Sequence, residues 1–218
     1  MILKVIKKSE TKNISSLILE KPKGFHFYAG QYLDIELPVN DPNDDTRAFT
    51  ISSSPTEDFL MITTKKGISK FKKYLESLKE EDIIESSHPA GTFILDESSP
   101  AVFLAGGIGI TPFRSMIKYA VDQKISTAIT LIYSNSDNNF LFKKELDAWQ
   151  KAYPKLKIIY HNSSKNGRLQ NLNPKPQTLN PIYYLAGSHS FVNNMAQILI
   201  DSGVDETNIR YDRFDGYN

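Results

Sequence analysis

The chain has 218 residues, 40% of them hydrophobic, with 26 Lys+Arg against 25 Asp+Glu and a formal net charge of +1. That balance offers no global attraction to nucleic acid or anionic lipid. The absence of cysteine excludes disulfides, thiolate zinc sites, cysteine-ligated iron–sulfur clusters and thiol nucleophiles. At roughly 150 residues per domain, the length allows one large domain or two small ones. The Lys-rich start, Met1 to Glu10, lacks the apolar core of a signal peptide. No apolar run approaches the ~18 residues of a membrane span. The expectation is a cytoplasmic protein without a membrane or nucleic-acid partner.

The first half reads as short strands: Ile2 to Lys7, Ser15 to Glu20, Tyr32 to Leu37, Phe49 to Ser53 and Leu60 to Thr64. Turn-forming stretches such as Lys21-Pro22-Lys23-Gly24 and Asn40 to Asp45 separate them, a pattern of barrels and sandwiches. Ser69 can cap a helix carrying Phe71, Tyr74, Leu75 and Leu78 at helical spacing. Ile83-Ile84 and Phe93-Ile94-Leu95 read as closing strands.

After the polar breaker Glu97-Ser98-Ser99-Pro100 the pattern changes. Ala101 to Ala105 is continuously apolar, as a strand buried on both faces requires. Strands at Ala128 to Tyr133, Leu156 to Tyr160, Ile182 to Ala186 and Ile209 to Tyr211 follow. Helices alternate with them at Pro112 to Val121, Leu141 to Trp149 and Phe191 to Leu199. Such alternation implies a parallel sheet with right-handed crossovers. Two domains are therefore expected: residues 1–98 as an antiparallel Greek-key β-barrel, and residues 99–218 as a parallel-sheet α/β domain.

Two segments carry candidate chemistry. Gly106-Gly107-Ile108-Gly109-Ile110-Thr111-Pro112 follows the first buried strand. Its glycines permit a sharp turn and close ligand approach. Thr111 can cap the next helix with Pro112 at its first position, and that helix end attracts anions such as a dinucleotide pyrophosphate. The bland alternative is a tight turn that binds nothing. The second strand ends at Tyr133-Ser134-Asn135-Ser136 without the acid usual for NAD or the Arg usual for NADP. Asp137 comes just after, and Ser134, Ser136, Lys165 or Arg168 could hold a phosphate, so the preference stays open. In the first half, Arg47-Ala48-Phe49-Thr50-Ile51-Ser52-Ser53 alternates. As a strand it sends Arg47, Phe49, Ile51 and Ser53 to one face, suited to a phosphate-bearing aromatic ligand or to a half-buried strand with an exposed Arg.

Together these segments resemble the ferredoxin–NADP reductase family. The resemblance covers nearly the whole chain. It rests on Gly30-Gln31-Tyr32, Arg47-Ala48-Phe49-Thr50, Gly67-Ile68-Ser69, Pro89-Ala90-Gly91-Thr92-Phe93, Gly106 to Pro112 and Ala186-Gly187-Ser188, in that order. Departures from the family pattern are Phe49 for Tyr, His88 for Gly and Ala186 for a common Cys.

The resemblance implies FAD, less often FMN, on the barrel and NAD(P)H as co-substrate on the second domain. Arg47 would pair with a flavin phosphate and Phe49 would pack on the isoalloxazine or ribityl region. Thr50 would lie near flavin N5, with Ile51 and Ser52 along the ring edge. Gly67, Ile68 and Ser69 would offer amides to the pyrophosphate. Gly106, Gly107, Gly109, Thr111, Pro112, Ser134 and Gly187 would serve the nucleotide, Thr111 where flavin and nicotinamide meet. Asp212, for the family's Glu, and Tyr217 join Thr50 as implied catalytic residues.

The implied activity is NAD(P)H-dependent hydride transfer to flavin, with electrons leaving to a separate acceptor: ferredoxin, flavodoxin, an oxygenase component or a small molecule. A flavin reductase using flavin as substrate and a non-catalytic electron-transfer subunit are the alternatives. His26, His88, His161 and His189 lack metal-ligand spacing, so no metal is expected. Lys70, Lys72 and Lys73 read as a solvated helix face.

Overall fold

A computed structural model describes residues 1–11, 13–39, 45–170 and 180–214. It divides into two compact units, Met1–Ile94 and a second beginning at Leu95. Tyr217 lies outside the described residues.

The first unit contains β1 (Ile2–Glu10), β2 (Ile14–Glu20), β3 (Tyr32–Glu36), β4 (Thr46–Thr50), β5 (Phe59–Lys65), α1 (Lys70–Ser77) and β6 (Ile83–Ser86). The strands form one antiparallel sheet in the order β4-β3-β6-β1-β2-β5. A bridge between Ile51, just past β4, and Ile62 of β5 joins its two edges, so the sheet curls into a barrel. Strand alternation sends Leu3, Val5, Leu17, Leu19, Leu33 and Ile35 inward, each at most 1% exposed. Phe71 and Leu75 of α1 join this core.

Phe93-Ile94-Leu95, expected as a closing strand, forms none. Ile94 N–H turns back to the Thr92 carbonyl at 2.9 Å, which removes it from any ladder. The fourth strand also starts earlier than expected, so Arg47 lies inside it.

The second unit contains β7 (Ala101–Gly106), a 3-10 turn (Gly107–Gly109), α2 (Ile110–Gln123), β8 (Ile129–Asn135), α3 (Lys143–Ala152), β9 (Leu156–Asn162), α4 (Ser163–Asn166), β10 (Ile182–Ser188), α5 (His189–Asp201), a second 3-10 turn (Glu206–Asn208) and β11 (Ile209–Phe214). All strand pairs are parallel, in the order β11-β10-β7-β8-β9. β7 is buried on both faces. Val102 and Leu104 pack with Val192 and Met195 of α5, while Phe103 stacks on Phe113 of α2 with ring centroids 4.6 Å apart. Strand order reverses between β7 and β10, the topological switch point where open α/β sheets leave a crevice at the carboxyl ends of their strands.

α2 begins two residues before the expected start. Its N-cap is Gly109, so Thr111 and Pro112 lie within its first turn. The 3-10 turn winds directly into the helix, and Thr111 Oγ1 donates back to the Ile108 carbonyl at 3.1 Å. Proline is tolerated there because first-turn N–H groups have no intrahelical acceptor. No described helix is long and apolar enough to cross a membrane.

Candidate functional site

In the barrel unit, three of the motifs converge on Tyr32. Its backbone pairs with Thr50 across β3 and β4, and exchanges both amide bonds with Ala90 at 3.0 Å. Gly91, at φ +98°, passes so close that a Cβ there would lie 3.0 Å from the Tyr32 ring. Gln31 reinforces the junction: its Oε1 accepts Tyr28 N–H at 2.9 Å and its Nε2 donates to the Gly91 carbonyl at 3.2 Å. Tyr32 and Thr50 are both partly exposed here. Sequence reasoning gave Tyr32 no role, although its place in the Gly-Gln-Tyr motif was the available signal.

Arg47 points inward and is only 3% exposed. Its guanidinium lies 4.8 Å from the Phe71 ring centroid, and Nη2 donates to Ser69 Oγ at 3.0 Å. Ser69 is the N-cap of α1. A buried cation thus meets a helix N-terminus, and both favour an anion. Of the three loop amides, that of Gly67 is taken by Glu76 Oε1 at 3.1 Å. The next residue, Ile68, is 79% exposed.

The rest of the Arg47 strand is more enclosed. Phe49 is 7% exposed and stacks on Phe71 with centroids 5.9 Å apart. Ile51 N–H goes to the Gln31 carbonyl and Ser52 N–H to the Met61 carbonyl. Ser52 Oγ also donates to Met61 O at 2.9 Å. These two amides already have partners within the barrel.

In the α/β unit, the glycine turn and β10 meet at the switch point. A Cβ on Gly109 would lie 2.1 Å from the Ala186 carbonyl oxygen, so only glycine permits this approach. One on Gly106 would lie 2.6 Å from the Phe191 ring. Gly187, at φ +150°, faces the Gly106 carbonyl across the same gap. Ser134 is Gly106's partner on β8 and is 8% exposed. Gly106, Ser134 and Gly187 are therefore gathered at neighbouring strand ends, with Gly107 and Gly109 in the turn beside them. Thr111 is 2% exposed, and Pro112 is buried with it in α2.

Ala186 is fully buried and stands in register with Asp212 of β11. Burial pushes the Asp212 carboxyl up to about 7. Asp137 is engaged in shaping its own loop: it accepts Asn135 Nδ2 at 2.9 Å, Asn139 N–H at 2.7 Å and Asn139 Nδ2 at 3.2 Å. Ser164 Oγ ties α4 to the Ser136 carbonyl. Lys165 and Arg168 are exposed. Among the described residues, no group of three His, Asp or Glu side chains could hold a metal.

Residues 103–175 match the oxidoreductase NAD-binding domain family. The chain is 31% identical over 231 residues to a flavohemoprotein of Bacillus subtilis, an alignment covering 95% of this chain and 57% of that protein. It therefore spans little more than half of that relative's length. The fold is similar to the flavohem-like FAD/NAD-binding domain of nitric oxide dioxygenase from Vibrio cholerae O1 biovar El Tor, with a TM-score of 0.82, 21% identity and 98% of each chain covered. It is also similar to ferredoxin–NADP+ reductase from Plasmodium falciparum, with a TM-score of 0.80, 21% identity, and 98% of this chain and 95% of that one covered. In motif order and sheet topology the chain has the fold of ferredoxin–NADP reductase-like FAD/NAD-binding proteins, and its second unit carries the match to the oxidoreductase NAD-binding domain.

Proposed function

We propose that the chain is a flavin-dependent NAD(P)H oxidoreductase that accepts a hydride from the nicotinamide and passes electrons to a separate acceptor. The observation that carries this reading is Arg47, a buried cation donating to the N-cap of α1. The residues present fit a phosphorylated flavin, because a phosphate ester is favoured by a cation and a helix N-terminus together. Flavohemoglobin of Malassezia yamatoensis, whose structure is similar at a TM-score of 0.82, carries bound FAD and heme.

Bound FAD would supply the chemistry, taking hydride from nicotinamide C4 at N5 and releasing electrons onward. This chain's residues would bind and orient. Arg47 holds phosphate charge, with the amides of Ile68 and Ser69 beside it. Tyr32 and Thr50 present partly exposed groups on adjacent strands. Phe49, Ile51 and Ser52 support that surface from within the barrel. Gly106, Gly107 and Gly109 let backbone approach the nicotinamide nucleotide, with Ser134 and Gly187 at the flanking strand ends. Thr111 and Pro112 shape the first turn of α2. Asp212, held largely protonated by burial below pH 7, can keep or release a proton near the end of β10. Such a division of labour needs no nucleophile–base pair.

The visible spectrum followed by anaerobic titration with NADH and NADPH tests the reading. Flavin absorbance that bleaches on reduction is the expected result. No flavin absorbance even after FAD is added overturns it. Tight co-purification of yellow flavin favours a bound cofactor, whereas colourless protein that needs added flavin favours flavin as substrate. Bound flavin with no NAD(P)H oxidation by any artificial acceptor favours a non-catalytic subunit.

A further inference from the structure

The ends of β8 and β9 are rich in asparagine, and the structure treats those residues unequally. Asn135 Nδ2 donates to Asp137 Oδ1 at 2.9 Å and to the Asn139 carbonyl at 3.3 Å. Asn162 Nδ2 donates to Asn138 Oδ1 at 2.8 Å, while its Oδ1 accepts the Ser164 and Lys165 amides. These side chains are fixed. Asn166 is exposed and makes no side-chain hydrogen bond with any described residue.

Asn166 is also the one asparagine in the sequence that glycine follows. Gly167 is exposed, at φ +75°, and a Cβ there would meet nothing within 4 Å. With no side chain and open space around it, its amide is an unhindered nucleophile. The helix that ends at Asn166, α4 (Ser163–Asn166), is a single turn. So short a helix gains nothing from propagation, and its end opens at little cost. Opening frees the Gly167 nitrogen to meet Asn166 Cγ.

We propose that Asn166 is a self-modification site whose deamidation weakens nucleotide binding by the second unit. The Gly167 amide nitrogen bonds to Asn166 Cγ, the Cγ–NH2 bond breaks, and ammonia leaves carrying the amide proton. Water then opens the succinimide to aspartate or isoaspartate; nothing is oxidised or reduced. The new carboxylate stands in the chain between Lys165 and Arg168, two exposed cations without a side-chain partner among the described residues. It offsets the positive charge they offer a phosphate. Isoaspartate also lengthens the backbone beside Gly167, whose carbonyl is bonded to His161 Nε2 at 2.9 Å. The change reaches β8, because Ser163 Oγ donates to the Asn135 carbonyl at 3.2 Å and Ser164 Oγ to the Ser136 carbonyl. Asn166 lies within the stretch 103–175 that matches the NAD-binding family, and the effect on binding rests on the nucleotide reading above.

The test incubates fresh full-length protein, warm, at neutral and mildly alkaline pH and maps it by peptide mass spectrometry. Conversion at Asn166 is expected to outpace that at Asn135 and Asn162, and to quicken with pH because the attacking amide must lose its proton. Asn166→Gln should resist conversion and bind NADH and NADPH as fresh wild type does. Asn166→Asp should weaken binding, read by nicotinamide fluorescence, about two- to fivefold at low salt, the range of an exposed charge contact. That loss should shrink as salt rises, with the thermal midpoint unchanged. Conversion at Asn166 no faster than at Asn162 overturns the site. Binding by Asn166→Asp equal to fresh wild type at every salt concentration overturns the charge effect. A fresh chain that binds neither nucleotide overturns the nucleotide reading and the effect with it, while the peptide map still decides the site.

Discussion

Arg47 on β4 is tied to Ser69, the N-cap of α1, by a 3.0 Å hydrogen bond from Nη2 to Oγ. One hydroxyl therefore serves both the helix start and the buried guanidinium. Ser69→Ala should lower stability by about 1 kcal/mol, the usual cost of losing such a cap. It should also weaken FAD binding several-fold, since Arg47 loses its anchor. Denaturant melts and flavin titration check the two effects separately. Unchanged flavin affinity in a destabilised variant would show that the bond matters only to the helix.

Gly109→Ala places a methyl 2.1 Å from the Ala186 carbonyl, a contact with backbone that no rotamer relieves. Overpacking of this kind costs about 1–3 kcal/mol, and the turn must move away from β10. Loss of stability in urea together with weaker NAD(P)H binding is expected.

Ala186→Cys enlarges a fully buried side chain with Asp212 as its strand neighbour. Restoring the family's common residue is expected to raise the hydride-transfer rate if that position meets the nicotinamide. No gain in stopped-flow reduction would mean that Ala186 serves packing alone.

Asp212 makes stability depend on pH. Its carboxyl is pushed up to about 7 in the folded chain by burial, against about 3.9 when unfolded. Below about pH 4 both states are protonated and the penalty vanishes. Between about pH 4 and 7 the folded state binds more protons, so this residue's contribution to stability falls as pH rises. Above pH 7 the penalty is constant. Asp212→Asn should flatten that window and raise the thermal midpoint at pH 8 but not at pH 4. An unchanged pH profile in the variant would show that Asp212 is not the group responsible.

Arg114 joins α2 to α3. It is bidentate to Glu145, at 2.7 Å from Nη2 and 3.2 Å from Nε, and lies 5.4 Å from the ring centroids of both Phe142 and Trp149. Its side chain is 3% exposed and that of Glu145 41%. Arg114→Ala should cost about 2 kcal/mol through lost packing and hydrogen bonds. Glu145→Gln should cost less than about 1 kcal/mol because its carboxylate remains partly hydrated. Urea midpoints order the two variants.

By itself, the sequence determined the barrel-then-α/β order, the doubly buried first strand of the second unit, the Ser69 cap and the glycine turn. Those features follow from local chemistry: alternation, helical spacing, capping groups and the absence of Cβ. Boundaries were less legible. The run at Phe93–Leu95 has strand composition but no ladder to join, and Thr111 has a capping side chain but sits inside a helix that begins earlier. Only the tertiary structure decided which charges are buried. Arg47 and Ser69 are 22 positions apart, and Lys72 differs from Lys73 only in the side of α1 that meets the barrel. Strand pairing and helix docking set those relationships, and they depend on groups distant in the chain. The same long-range packing placed Gly109 against Ala186 and gave Asp212 its partly buried setting.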